Sequence, residues 1–187
     1  MPVTKLDTTA ALIVIDLQNG IVTLPTVHPI GEVVKHARTL ADAFRQRRLP
    51  VVLVNVTGGA PGRTEQPRHR GEIPAGWSDF IPELNHQLGD QVVTKRTWGA
   101  FTKTGLEEYL KTLGVTQVVI AGVSTSAGVE STARQAHESG FNVTLALDAM
   151  TDTNADAHIN SIRRIFPRLG ETGTTQEILD LLKGVDT

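Results

Sequence analysis

The fold is decided by residues 118–128, which read VVIAGVSTSAG. An apolar run, a glycine and then small hydroxylated residues are typical of a buried strand, a tight turn and the start of a helix. Such a turn points backbone N–H groups and the positive end of the helix dipole into one small space, which favours an anion. Gly128 stands where a nucleophile would be expected. A cysteine there would be an activated thiolate, but the chain contains no cysteine.

Short apolar runs recur outward from this stretch, at residues 11–15, 51–54, 91–93, 118–120 and 143–147. They are β-branched and do not alternate with polar residues, as in strands buried on both faces of a parallel sheet. Segments with apolar residues three and four apart lie between them and predict helices. We therefore predict a three-layer α/β/α Rossmann-like fold with a mainly parallel, six-stranded sheet. Residues 1–187 are expected to form a single domain, because this length suits one domain with a substantial core. A (β/α)₈ barrel does not fit, because it needs roughly 250 residues and eight units.

Two local signals support this division into elements. Gly140 follows the helical segment that begins near Ala127, and glycine is the usual residue just beyond a helix C-terminus. Thr174 and Glu177 have the spacing of a capping box and predict the start of the last helix.

Composition limits the classes of function. A formal net charge of −2 over 187 residues gives no basic surface for nucleic acid or an anionic membrane. The absence of cysteine excludes disulfides and thiolate–metal sites. The first apolar run ends at Asp16, too early for a membrane span. We expect a soluble, cytoplasmic protein whose partner is a small-molecule substrate, with neither nucleic acid nor a membrane as partner.

One long stretch, residues 57–78, has no helix or strand pattern and is rich in Gly, Pro, Arg and His. A loop of this length in a compact domain is usually a lid, a binding loop or an interface arm. Arg63, Arg68 and Arg70 could bind an anionic substrate from it, although solvated side chains are the favoured interpretation.

Three groups fall at predicted carboxyl ends of strands. Asp16 follows the first strand, Lys95 ends the third, and the turn before Gly128 follows the fourth. Ligands of open parallel sheets bind outside these ends. Each group alone has an ordinary explanation, as a turn residue or a solvated side chain, but a carboxylate, an ammonium and an anion-holding turn together would form a catalytic set.

These residues carry a resemblance to the isochorismatase-like (cysteine hydrolase) superfamily over nearly the whole chain. The matching motifs are residues 12–20 (LIVIDLQNG), 95–101 (KRTWGAF) and 122–132 (GVSTSAGVEST). Residues 148–149 (DA) and 174–179 (TTQEIL) also fit.

The resemblance implies an Asp–Lys–Cys triad, with Asp16 and Lys95 in the first two places and Gly128 in the place of the cysteine. It also implies a cis peptide between Val123 and Ser124, and an anion hole formed at Ser124 and Gly128. Without a thiol, the amidase route through a covalent thioester is closed.

The substrate contacts predicted beside this triad are Ser124, Trp98, Phe101, Asn55 and Gln18. Trp98 and Phe101 could wall a pocket for a planar substrate, or equally could be core aromatics. Asn55-Val56-Thr57 stands where metal-dependent nicotinamidases carry Asp-x-His, and His69 is better explained as a loop residue. We therefore expect no metal and no cofactor, which argues against a nicotinamidase.

A glycine in place of the cysteine also occurs in the true isochorismatases, which cleave a vinyl ether without a covalent intermediate. Asp16 would then be the general acid, and burial would have to raise its pKa. Lys95 would oppose that shift if very close, or could bind a substrate carboxylate. The residues around Gly128 follow the amidase-like pattern, so the resemblance does not supply a substrate.

Three hypotheses remain at this point. The first is a hydrolase of a small anionic or planar metabolite that uses no cysteine nucleophile. The second is a binding protein that keeps the pocket but has lost turnover. The third is an amidase with Ser126 as nucleophile, although a helix N-cap is the favoured role for Ser126. The resemblance also implies a homo-oligomer, a dimer or a tetramer.

Overall fold

The computed structural model describes residues 2–65 and 72–184. Within them six strands form one sheet in the order β3-β2-β1-β4-β5-β6, and every neighbouring pair is parallel. The strands are β1 Ala10–Ile15, β2 Val51–Val56, β3 Gln91–Lys95, β4 Gln117–Val123, β5 Asn142–Thr151 and β6 Glu171–Gly173.

Helices cover both faces of this sheet. They are α1 Asn19–Val22, α2 Ile30–Gln46, α3 Leu106–Thr112, α4 Glu130–Glu138, α5 Ala155–Asn160 and α6 Thr175–Lys183. One buried cluster joins the sheet to α2 and α6, through residues such as Phe44 and Ile178. The other joins it to α3 and α4, through residues such as Leu110 and Ala133. The predicted three-layer fold with a six-stranded parallel sheet is confirmed.

The termini of two helices follow the predicted chemistry. Thr174 accepts from the amide of Glu177, and the Glu177 carboxylate accepts from the amide of Thr174, so the capping box at α6 is present. Gly140 lies beyond α4 with φ of +87°, a left-handed conformation that glycine adopts without steric cost.

Two strands differ from the prediction. β5 extends four residues beyond its apolar run, to Thr151. β6 is only three residues long and contains a threonine and a glycine, so it is too short to give an apolar pattern. It pairs with β5 through Thr144, Leu145 and Ala146.

The strand order determines where the ligand-binding crevice of the sheet lies. The crevice of such a sheet lies where the order reverses, here between β1 and β4. Register aligns Ile15 with Val54 on one side and Gly122 on the other, and aligns Val56 with Lys95. The carboxyl ends of β1 to β4 therefore meet at one edge.

The long loop is described at residues 57–65 and 72–78, whereas Arg68, His69 and Arg70 lie outside the described residues. Its last part packs on the segment after β1: the amide of Gly20 donates to the carbonyl of Trp77 at 2.8 Å. A Cβ added at Gly20 would lie 1.9 Å from the Trp77 indole nitrogen, so only glycine permits this close approach. Each helix in the described part of the chain is too short or too polar to cross a bilayer.

Candidate active site

Asp16 and Lys95 form a buried ion pair at the carboxyl edge of the sheet. The Lys95 ammonium lies 2.8 Å from Asp16 Oδ2, and the two side chains are 1% and 8% exposed. Lys95 also donates to the carbonyl of Trp98 at 2.6 Å. Asp16 has φ of +52°, which bends the chain immediately after β1; aspartate tolerates this left-handed conformation better than most residues.

The two carboxyl oxygens of Asp16 differ, because only one of them is bonded to Lys95. Asp16 Oδ1 is buried and has no hydrogen-bond partner among the described residues. Burial raises the pKa of Asp16 to about 6, and the charge and hydrogen bond of Lys95 reduce this rise without cancelling it. Burial and Lys95 act in opposite directions, and burial has the larger effect. The protonated form of Asp16 is therefore accessible near neutral pH.

Gly128 lies directly against this pair. A Cβ added there would be 3.2 Å from Asp16 Oδ2, 3.3 Å from Lys95 Nζ and 2.9 Å from Ile15 Cγ2. The structure thus brings Asp16, Lys95 and Gly128 together from three strand ends. It also leaves little room for any side chain at position 128 unless Ile15 moves.

The turn between β4 and α4 is wider than an α-helical turn. Residues Thr125–Val129 form a π-helical segment. The carbonyl of Ser124 accepts from the amides of Ala127 and Val129, both at 3.1 Å, with Gly128 between the two donors. The peptide between Val123 and Ser124 is cis, as the resemblance implies. π-Helical turns of this kind are frequent at functional sites.

Two of the predicted substrate contacts, Gln18 and Asn55, bind backbone groups of other segments. Gln18 is fully buried; its amide group donates to the carbonyl of Val56 at 3.1 Å and accepts from the amide of Val56 at 2.7 Å. Asn55 donates to the carbonyl of Ser78 at 2.8 Å, and its Oδ1 is buried without a described partner. Gln18 thus joins the segment after β1 to the end of β2 and, at 3.4 Å, to the carbonyl of Trp77, while Asn55 attaches the long loop to β2; their contact with substrate stays a prediction.

The two aromatic residues predicted to contact substrate, Trp98 and Phe101, lie in different environments. Trp98 is 69% exposed, so the interpretation as a core aromatic is wrong for this residue. Phe101 packs against Phe141 with ring centroids 6.0 Å apart and lines a surface pocket along α3. Phe101 is therefore half-buried at the margin of the core and lines that pocket, and its contact with substrate stays a prediction.

Ser126 is held by a residue that the sequence patterns did not single out. The amide and the hydroxyl of Ser126 both donate to Asp152 Oδ2, at 2.7 and 2.8 Å. The N-cap position belongs to Ser124, whose side chain makes no capping bond, so the expected capping role of Ser126 is wrong. An acidic residue just beyond β5, at the same edge as Asp16, was the signal that could have identified Asp152.

Arg63 is exposed. In the parts of the chain that the structure describes, no group of three or more His, Asp or Glu side chains could hold a metal ion.

Comparison with known proteins gives consistent matches over the whole fold. A family model described as the isochorismatase domain matches residues 10–177. The uncharacterised isochorismatase family protein YwoC of Bacillus subtilis is 41% identical, over 92% of this chain and 94% of the relative. The corresponding protein YecD of Escherichia coli O157:H7 is 40% identical, over 93% and 96%.

Among solved structures, an isochorismatase family protein from Burkholderia thailandensis superposes with a TM-score of 0.92 at 41% identity. The superposition covers 96% of this chain and 98% of the other.

Proposed function

The chain belongs to the isochorismatase family, and we propose that it is a cysteine-independent hydrolase of a small anionic or planar metabolite. Within that class we propose cleavage of a vinyl ether with Asp16 as the general acid. The family consists of hydrolases, so hydrolysis is the premise, and the substrate and mechanism are the proposal.

The observation that carries this proposal is the state of the Asp16 carboxyl group. Oδ2 is engaged by Lys95, whereas Oδ1 is buried and without a described partner, and the pKa of Asp16 is raised to about 6. A general acid works best when its pKa lies near the working pH. The proton on Oδ1 is therefore the one available to a bound molecule.

The reaction would proceed in two proton transfers. Asp16 Oδ1 gives its proton to the terminal carbon of the enol ether, and the ether carbon becomes an oxocarbenium ion. Water adds to that carbon and returns a proton to Asp16. The resulting hemiketal then breaks down to a carbonyl compound and an alcohol, so Asp16 ends in its starting state.

Lys95 and the turn supply the electrostatic part of the proposal. Two donors of the Lys95 ammonium are used by Asp16 and by the carbonyl of Trp98, which leaves a third for a substrate carboxylate. The backbone at Ser124 and Gly128 would form the anion hole. Trp98, exposed beside Lys95, would flank a planar substrate.

The same geometry weighs against an amidase that uses Ser126. Its hydroxyl donates to Asp152, whereas Asp16 and Lys95 lie against Gly128. The scheme uses no metal, and by the resemblance Asn55 and Thr57 stand where metal-dependent nicotinamidases carry Asp and His. The dimer or tetramer implied by the resemblance stays a prediction.

The test is turnover of isochorismate, with a panel of simpler vinyl ethers and amides, by wild type, Asp16→Asn and Asp180→Asn. We expect Asp16→Asn to lose turnover by about 10³-fold, the scale of general acid catalysis. Asp180→Asn, on the exposed face of α6, should match wild type. Because the protonated acid is the active form, kcat/KM should be constant below pH 6 and fall about tenfold per pH unit above it.

The other outcomes would contradict the proposal in different ways. Vinyl-ether turnover that survives Asp16→Asn would remove Asp16 from the mechanism. Tight binding of isochorismate without turnover, by wild type and variant alike, would indicate a binding protein.

A further inference from the structure

Asp152 is a second buried carboxylate at the same edge of the sheet, and it is 3% exposed. Its Oδ2 accepts from the amide and the hydroxyl of Ser126, and its Oδ1 accepts from the amide of Asn154 at 3.1 Å. Three donors thus surround one carboxylate. In the described ranges no Lys, Arg or His lies within ion-pair distance of Asp152.

A buried carboxylate is costly unless its oxygens are hydrogen-bonded, and bonds to a charged acceptor are about twice as strong as neutral ones. Two of the three hydrogen bonds come from Ser126, a residue of the turn, so they stabilise the conformation of the turn. Ser126 lies two residues before Gly128, inside the π-helical segment. The position of this segment is therefore coupled to the end of β5.

Two more hydrogen bonds, one buried and one partly buried, join the same parts of the chain. Thr125 Oγ1 lies 2.8 Å from His158 Nδ1, and Ser161 donates to Glu130 at 2.6 Å. Thr125 and Ser161 are fully buried. Residues 152–161 thus hold the turn at its beginning, near its middle and at the first residue of α4.

We propose that Asp152 is a positioning residue of the active site. By holding both donors of Ser126, it keeps the widened turn in the conformation that places Gly128 against Asp16 and Lys95. Asp152 does not touch the reacting atoms, so it acts through the turn. The kinetic part of this inference rests on the proposed function, whereas the conformational part does not.

This role differs from that of a second acid. The groups that shift the pKa of Asp16 are its own burial and Lys95. Removal of Asp152 should therefore lower the rate without moving the pH at which the rate falls. A lower rate with an unchanged pH dependence would therefore identify Asp152 as a positioning residue and not as a proton donor.

The experiment compares Asp152→Ala and Asp152→Asn with Asp156→Ala, an exposed aspartate four residues further on. With isochorismate as substrate, Asp152→Ala should lower kcat at least 30-fold, with KM within threefold and the apparent pKa still near 6. Asp152→Asn keeps one acceptor oxygen for Ser126 and should recover most of the lost kcat. Asp156→Ala should stay within twofold of wild type.

Amide hydrogen exchange and ¹⁵N–¹H spectra test the same inference without turnover. In Asp152→Ala the Ser126 amide should exchange at least 100-fold faster and the Gly128 amide signal should shift, while the amides of α6 stay unchanged. If wild type cleaves no substrate, the proposed function fails but this readout still decides the role of Asp152.

A folded Asp152→Ala variant with an unchanged Gly128 amide signal and an unchanged kcat would overturn the proposal. Uniformly faster exchange over the whole protein, with kcat per folded molecule unchanged, would also overturn it, because that pattern marks a purely structural role. If Asp152→Ala does not fold, Asp152→Leu, which also lacks an acceptor for Ser126 but fills the space of the aspartate, gives the same comparison.

Discussion

Asp16 and Asp152 are two buried carboxylates at one edge of one sheet, and their surroundings differ completely. Asp152 has a donor for each of its oxygens and no ion-pair partner in the described part of the chain. Asp16 has a cation on one oxygen, while the other is without a described partner. Asp152 is satisfied by two backbone amides and the hydroxyl of Ser126, whereas one oxygen of Asp16 is left with capacity for a ligand.

The difference shows that burial alone does not mark a reactive acid. Burial raises the pKa of a carboxyl group only to the extent that hydrogen bonds and cations fail to stabilise its charged form. At Asp16 the cation is present and burial still has the larger effect. The unsatisfied oxygen, more than the fraction of surface buried, identifies the catalytic candidate.

Removal of Lys95, the cation beside Asp16, should have the largest effect on stability. We expect Lys95→Met to lower the free energy of unfolding by about 4 kcal/mol at pH 8, because a buried carboxylate is left without its partner. At pH 5 the loss should be much smaller, since Asp16 can then bind a proton. Urea unfolding at both pH values measures this.

Lys183→Met is the matched control, because Lys183 forms an exposed ion pair on α6. It should change stability by less than about 0.5 kcal/mol. Equal losses for Lys95→Met at pH 5 and pH 8 would show that Asp16 does not take up a proton when Lys95 is removed.

The titration of Asp16 gives the next largest effect. Its pKa is about 6 in the folded protein against a usual value of 3.8. Between pH 4 and 6 the folded protein holds a proton that the unfolded chain has released, so the free energy of unfolding falls as pH rises. The full change is about 3 kcal/mol, and it is complete slightly above pH 6.

This contribution is isolated by the difference in unfolding free energy between wild type and Asp16→Asn, measured from pH 4 to 7. The difference should fall through that window and then level off. A pH-independent difference would mean that the pKa of Asp16 is the same in the folded and unfolded states.

The smallest effect concerns Ser126, which joins Asp152 to the turn. Ser126→Ala removes the hydroxyl donor but keeps the amide bond to Asp152, so we expect a stability loss of about 1 kcal/mol. Turnover should fall by less than tenfold. Thermal unfolding and initial rates measure the two effects, with Thr153→Ala, an exposed neighbour, as control. A loss of turnover above 100-fold would instead support a serine nucleophile.

Much of this site could be predicted from local sequence. Asp16 and Lys95 follow apolar runs, and parallel strands bring their carboxyl ends together, so their placement at one edge required only the strand pattern. Gly128 was identified because it follows a strand and opens a helix. The short β6 and the extension of β5 to Thr151 were not predictable in this way, because pairing with neighbouring strands forms them without an apolar pattern.

The direction in which side chains point could not be predicted from the sequence. Trp98 and Phe101 lie three residues apart in one motif, yet one is exposed and the other packs on Phe141. Gln18 and Asn55 are polar residues near the site, yet both bind backbone groups of other segments. These outcomes depend on contacts 20 to 40 residues away along the chain.

The parallel α/β fold and the family could be predicted from the sequence alone, because strand patterns and motifs are local properties of the chain. The larger effect of burial than of Lys95 at Asp16, and the hydrogen bonds between Asp152 and Ser126, became visible only in three dimensions. Desolvation and hydrogen-bond satisfaction are sums over neighbours from distant segments, and no local pattern contains those neighbours.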